Sequence, residues 1–84
     1  MDWEVYSFVI RGKIRKTVFL ALYRPKTPSE ISREIKVSTT HVSRSIKELE
    51  ELNLVNCMTP KLKLGRVYKL TKKGEVILKK MQNT

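Results

Sequence analysis

The sequence predicts a mainly helical α+β domain with a three-helix core, a two-stranded hairpin and a C-terminal helix. Three observations predict it. Apolar residues near the N-terminus recur every four positions, which is a helical spacing. A strongly capped short helix is followed by a tight turn and a second amphipathic helix. After Asn53 the spacing changes to that of strands, and a helix returns only after Thr71.

The four-residue stripe is Tyr6, Ile10, Ile14, Val18 and Leu22, with Gly12 in its middle. It reads as a helical extension within residues 1–12, helical over about 2–10, a break at Arg11-Gly12 and a main helix over about 13–23. One glycine costs only about 1 kcal/mol in a helix, so a single continuous helix is the alternative. Arg24-Pro25 ends the segment, because a residue before proline avoids the helical region. Thr27-Pro28-Ser29-Glu30 then supplies a capping hydroxyl, proline at the first helical position and Glu three residues after the cap. A helix of about 28–35 follows, with Ile31 and Ile35 inward. Lys36-Val37 makes the turn, and Ser38 or Thr39 caps a helix running to about Leu52. Its inner face carries Val42, Ile46 and Leu49, with Leu52 close by. Asn53 suits the left-handed conformation that ends it.

Leu54–Met58 and Arg66–Leu70 are β-type runs of five, joined by a basic loop between Thr59-Pro60 and Gly65. Thr71 caps a last helix over about 72–82, with Val76, Ile77 and Met81 as its candidate contacts. A helix-turn-helix over about 28–52 followed by a hairpin over about 54–71 is the layout of a winged helix-turn-helix.

Two stretches carry a resemblance. One is Lys26-Thr27-Pro28-Ser29-Glu30-Ile31 with Ser38-Thr39-Thr40-His41-Val42-Ser43-Arg44-Ser45-Ile46-Lys47-Glu48-Leu49-Glu50. The other is Leu54-Val55 with Gly65-Arg66-Val67-Tyr68-Lys69-Leu70-Thr71 and Lys73-Gly74. Together they resemble archaeal winged helix-turn-helix transcriptional regulators, closest to small MarR- or ArsR-like proteins, over about residues 26–78. The resemblance implies double-stranded DNA as partner, with the recognition helix over 39–52 in the major groove. It places the basic wing, residues 59–66, on the backbone or in the minor groove. Two positions depart from the family: Lys36 stands where glycine is common in the turn, and Asn53 where glycine is common after the recognition helix. A positive φ at Lys36 would be strained, which puts the shape of the turn in doubt.

Charge agrees with this assignment. The net charge is +10, with 18 Lys and Arg against 8 Asp and Glu. It is distributed as −2 over residues 1–10, +6 over 11–26, −1 over 27–58 and +7 over 59–84. Basic flanks around a mixed centre suggest one oriented face for a polyanion, and nucleic acid is the default partner. With 40% hydrophobic residues, the 84-residue chain can build one small core. No apolar run approaches the roughly 20 residues of a membrane span, and Asp2 and Glu4 are unlike the start of a signal peptide. A single cysteine, Cys57, and a single histidine exclude an internal disulfide and a four-ligand zinc site. Cys57 reads as a small buried strand residue. The expectations are a cytoplasmic, nucleoid-associated protein, no cofactor, no metal and no catalytic residue. No effector is legible.

With Val42, Ile46 and Leu49 inward, the outward arc of the second helix holds Thr40, Arg44, Lys47 and Glu51, with His41 and Glu48 beside it. The base-reading candidates are Thr40, His41 and Arg44, with Thr39 and Ser43 at the margins. The backbone candidates are Lys47, Lys61, Lys63 and Arg66, together with Thr27 and Ser29 at a helix start. On an isolated helix, Arg44 and Lys47 would read as a solvated face; beside a basic wing the preference reverses. His41 reads equally as a surface histidine, and Thr27 and Ser29 equally as caps alone. Arg11, Lys13, Arg15 and Lys16 read as a solvated face rather than as part of the footprint. Leu62 and Leu64 either fold back or meet a partner.

Rival functions are a winged-helix protein–protein module and a non-specific architectural or RNA-binding protein. The basic residues on the helix and wing argue against the first. A recognition helix covers few base pairs, so a homodimer is expected. Trp3, Tyr6 and Phe8 at one end and Val76, Ile77 and Met81 at the other are its candidate interface. Otherwise the same groups complete the core of the monomer.

Overall fold

In the computed structural model, which describes residues 2–83, Asp2 opens α1 (Trp3–Arg11) by accepting from the Val5 amide at 3.2 Å. Gly12 is extended, at φ −92° and ψ 110°, and separates α1 from α2 (Lys13–Ala21). The break is real, and it alters the predicted stripe. Val5 and Val9 are the buried residues of α1, whereas Ile10 is exposed. The extended residue resets the helical phase, so one four-residue spacing cannot run through both helices.

The capping box at Thr27 forms as expected and starts α3 (Pro28–Ile35). Lys36 then takes the left-handed conformation, at φ 57° and ψ 46°. The turn therefore keeps the shape that usually asks for glycine. Ser32 holds it: its carbonyl accepts from the Val37 amide at 3.3 Å, and its hydroxyl donates to the Val37 carbonyl. Ser38 caps α4 (Thr39–Glu51), and Asn53 ends it at φ 61°. On α4, Val42, Ile46 and Leu49 are buried as predicted, and Ser45 joins them.

β1 (Val55–Cys57) pairs antiparallel with β2 (Tyr68–Leu70), in the register Val55 to Leu70 and Cys57 to Tyr68. The strands are shorter than the runs of five; the Met58 amide still donates to the Val67 carbonyl at 2.7 Å, and the chain then opens into the wing. Lys26 adds a one-residue bridge to the other side of Tyr68, with backbone hydrogen bonds of 3.0 and 2.9 Å in the two directions. Thr71 caps α5 (Lys72–Gln82) through the Gly74 amide.

On α5 the inner face is Gly74, Ile77 and Leu78, with Met81 packed at its edge. Val76, expected to be a contact, is exposed; with Ile77 and Leu78 inward, it falls on the opposite side of the helix. Gly74 is required by space. A methyl group there would run into the carbonyl oxygen of Leu54, whose other partner is the Thr71 amide. The core joins Phe19 and Leu22 of the α2 segment to Ile31, Val42, Ile46, Leu49, Leu54 and Val55, so α4 is seated on α2 and α3 together. Cys57 is half-buried against it. Among the described residues no helix is long and apolar enough to cross a membrane.

Candidate nucleic-acid interface

The first turns of α4 are bare. Thr39, Thr40, His41, Ser43, Arg44 and Lys47 are all exposed; Thr40, Arg44 and Lys47 lie opposite Val42, Ile46 and Leu49, with His41 and Ser43 on the flanks and Thr39 at the first turn. The cap explains why these turns stand at the surface: Ser38 accepts from the His41 amide at 3.4 Å, so the helix starts without burying its end. Neither Arg44 nor Lys47 takes part in the ion pairs found among the described residues. Their charge is available to an external anion.

Glu48 lies beside this arc and is engaged. Its carboxylate meets Arg15 Nη1 of α2 at 3.5 Å. This corrects the reading of Arg15 as part of a solvated face. The Arg15 side chain is only 14% exposed, and its guanidinium lies 3.6 Å from the centre of the Phe8 ring. Its Nε–H donates to the Phe8 carbonyl at 2.8 Å, and Nη2 donates to the same oxygen. Arg11, Lys13 and Lys16 do remain exposed. Lys13 lines a shallow groove with His41 and Arg44, so the start of α2 borders α4.

At the start of α3 the two candidates differ. The Thr27 amide and hydroxyl are both used in the capping box, donating to Glu30 at 2.9 Å and accepting from its amide at 3.2 Å. The Thr27 amide bond, with help from the hydroxyl, holds the Glu30 carboxyl below its ordinary pKa of 4.5. A carboxylate thus already occupies part of this helix start and opposes a phosphate there. Ser29 is exposed and uncommitted.

On the wing, Lys61 and Lys63 are exposed at the tip, and Gly65 makes the turn at φ 68°. Arg66 is not simply a free cation. Its Nε–H donates to the Leu62 carbonyl at 2.5 Å and Nη2 reaches the Pro60 carbonyl at 3.5 Å, so it ties the loop together. Thr59 adds a second tie by accepting from the Val67 amide at 3.0 Å. Leu62 and Leu64 do not fold back; Leu64 is 88% exposed.

The candidate interface residues between copies divide. Trp3 is 59% exposed and packs edge-on to the half-buried Tyr6, and Val76 is also 59% exposed. Phe8 lies under Arg15, and Met81 is half-buried. Ile77 is 2% exposed, so it serves the core of this chain instead of a surface. Lys80 approaches the Trp3 ring, which brings the start of α1 and the end of α5 together.

Sequence reasoning missed Lys26, Ser45 and the Arg15–Glu48 pair. Arg15 and Glu48 are 33 positions apart, and no periodicity links them. Gly12 was the one visible signal, since any side chain there would press on the Arg15 guanidinium.

Residues 17–56 match the family model of the bacterial regulatory proteins of the arsR family, a segment from the middle of α2 into β1. No curated protein sequence matches the chain. Among solved structures, the reduced form of the transcriptional regulator YodB from B. subtilis superposes with a TM-score of 0.78 at 24% identity, covering 95% of this chain and 81% of that one. The reduced form of MarR from E. coli gives 0.77 at 22% identity, covering 95% and 61%. A ZitR variant from Lactococcus lactis gives 0.76 at 19%, covering 86% of this chain and 51% of that one. The chain thus spans about half the length of the ZitR structures. The shared feature is the winged-helix fold.

Proposed function

We propose that the chain is a sequence-specific, double-stranded DNA-binding transcriptional regulator that acts as a homodimer. The observation that carries this reading is the bare N-terminal half of α4. There Thr40, His41 and Arg44 stand exposed on a rigid, core-seated helix, and the segment matched by the arsR-family model contains that helix. Arg44 suits a bidentate contact with guanine, and Thr40 a hydroxyl contact or a thymine methyl. Lys47 lies a turn further along and suits a phosphate. Lys61 and Lys63 suit the backbone beside the groove, with Arg66 holding the wing in shape. Glu51 is exposed at the far end of α4, where it would repel phosphates, so the N-terminal turns are the ones that enter the groove.

Dimerisation is supported by the exposed Trp3 and Val76 on helices whose ends meet. Two-fold symmetry would double the site and give half-sites about 10 bp apart or a multiple of that. The reading includes the cytoplasmic, nucleoid-bound location and the archaeal affiliation implied by the sequence resemblance. The test is selection of bound duplexes from random DNA, followed by competition against scrambled duplexes over a salt series. A regulator shows a preference of about a thousand-fold or more on top of a steep salt slope. A salt slope with no preference would leave a non-specific binder.

A further inference from the structure

Arg15 joins three helices at one point. It starts from the first turn of α2, sits over the Phe8 ring of α1, and donates twice to the Phe8 carbonyl near the end of α1. Its remaining terminal nitrogen points at Glu48 of α4. The guanidinium crosses the α1–α2 break, over the space that Gly12 leaves by having no side chain. A planar fork fixed on two of its nitrogens presents the third in a set direction, which an ammonium on a flexible stem cannot do. Glu48 is on the same side of α4 as His41 and Arg44, and these residues line one groove.

From this geometry we infer that Arg15 is a positioning residue for DNA reading. It touches no base, and through Glu48 it fixes the rotation and depth of α4 relative to α1 and α2. The inference rests on the proposal that α4 reads bases. The ion pair by itself is weak, because Glu48 is 38% exposed and an exposed pair contributes little. Its effect is on the direction of α4, and base contacts are sensitive to direction in a way that phosphate contacts from flexible lysines are not. The joint also ties the recognition helix to α1, whose Trp3 and Ile10 are exposed.

The decisive variant is Glu48→Ala, which leaves Arg15 on Phe8 and removes the acceptor that links it to α4. Charge alone predicts that removing an acid near the DNA face tightens binding to every duplex. The positioning role predicts the opposite for a duplex selected by the wild-type chain: a loss of about three- to ten-fold, with little change on its scrambled counterpart. Arg15→Lys keeps the charge and should show the same loss, with an unchanged salt slope because every phosphate partner is kept. The double variant should be no worse than the poorer single one.

Far-ultraviolet circular dichroism confirms that each variant is folded. Equal tightening on both duplexes, or an unchanged preference, or additive losses in the double variant would each overturn the assignment. If the wild-type chain itself shows no preference, the base-reading proposal fails and this inference with it. Preference in the wild type that the variants retain removes Arg15 alone.

Discussion

Lys26 Nζ lies 2.8 Å from Glu34 Oε2 and 4.2 Å from the centre of the Tyr23 ring, while its side chain is only 2% exposed. A lysine is almost never so covered unless it is paired. Its backbone is fixed on both sides by Tyr68, so the aliphatic stem has no choice but to run inward along the protein. Lys26→Ala should cost about 2–4 kcal/mol, from the missing stem and the abandoned carboxylate. Glu34→Ala leaves the Lys26 ammonium, on a side chain only 2% exposed, without its carboxylate and should cost at least as much, about 2–4 kcal/mol. Lys26→Met, which fills the same space without a charge, should stay within about 1 kcal/mol of the wild type. Urea unfolding of the three variants measures this order.

Gly74 should resist a substitution that helix propensity recommends. Alanine is favoured by about 1 kcal/mol at an ordinary helical position. Here the methyl group would displace the Leu54 carbonyl and press on Leu70. Gly74→Ala should therefore destabilise by about 1–3 kcal/mol. Thermal unfolding beside the neighbouring exposed control, Lys73→Ala, tests it.

The strain at Lys36 has a corresponding relief. A left-handed residue with a Cβ costs about 1–2 kcal/mol, partly offset by the greater freedom of an unfolded glycine. Lys36→Gly should stabilise the chain by about 0.5–1 kcal/mol. Asn53→Gly should gain less, since asparagine tolerates this region. Denaturant midpoints rank the two.

Acid should weaken the start of α3. Folding holds the Glu30 carboxyl below 4.5, first through the Thr27 amide, then its hydroxyl, with Arg33 and Lys26 nearby. The folded state therefore favours the ionised form. That contribution is complete above pH 4.5 and disappears as pH falls through the lowered value. Glu30→Gln keeps an acceptor for the Thr27 amide but has no proton to bind. Its stability should fall less steeply than that of the wild type below pH 4.5, read from unfolding at several pH values.

The helix and the wing should fail differently. Arg44→Ala should cost about 1–3 kcal/mol per half-site on a selected duplex and relax preference at one position. Lys61→Ala with Lys63→Ala should weaken binding to all duplexes and flatten the salt slope by roughly 0.9 for each phosphate left without its lysine. Competition at two salt concentrations separates them. Equal loss on both duplexes for Arg44→Ala would turn its base contact into a phosphate contact.

The sequence by itself determined the order of elements, the caps at Thr27 and Thr71, and the outward arc of α4, and it narrowed the cap of α4 to Ser38 or Thr39. Each of these depends on residues within a few positions of one another. The break at Gly12 was one of two readings the sequence allowed, because a single glycine interrupts a helical period without forbidding a continuous helix.

Tertiary structure alone decided which side of α1 and α5 is covered, which is why Ile10 and Val76 are exposed while Leu78 is buried. It also decided the fate of individual cations. Lys26 and Arg15 look like Lys13 and Lys16 in the sequence, yet the first two are packed and paired and the others are solvated. A charged side chain shows no preference until another element brings a carboxylate, a ring or a carbonyl within reach. The Glu34 carboxylate of α3 pairs with Lys26 from the loop before it, and Arg15 of α2 takes its carbonyl from α1 and its carboxylate from α4, so each partner arrives on a different element.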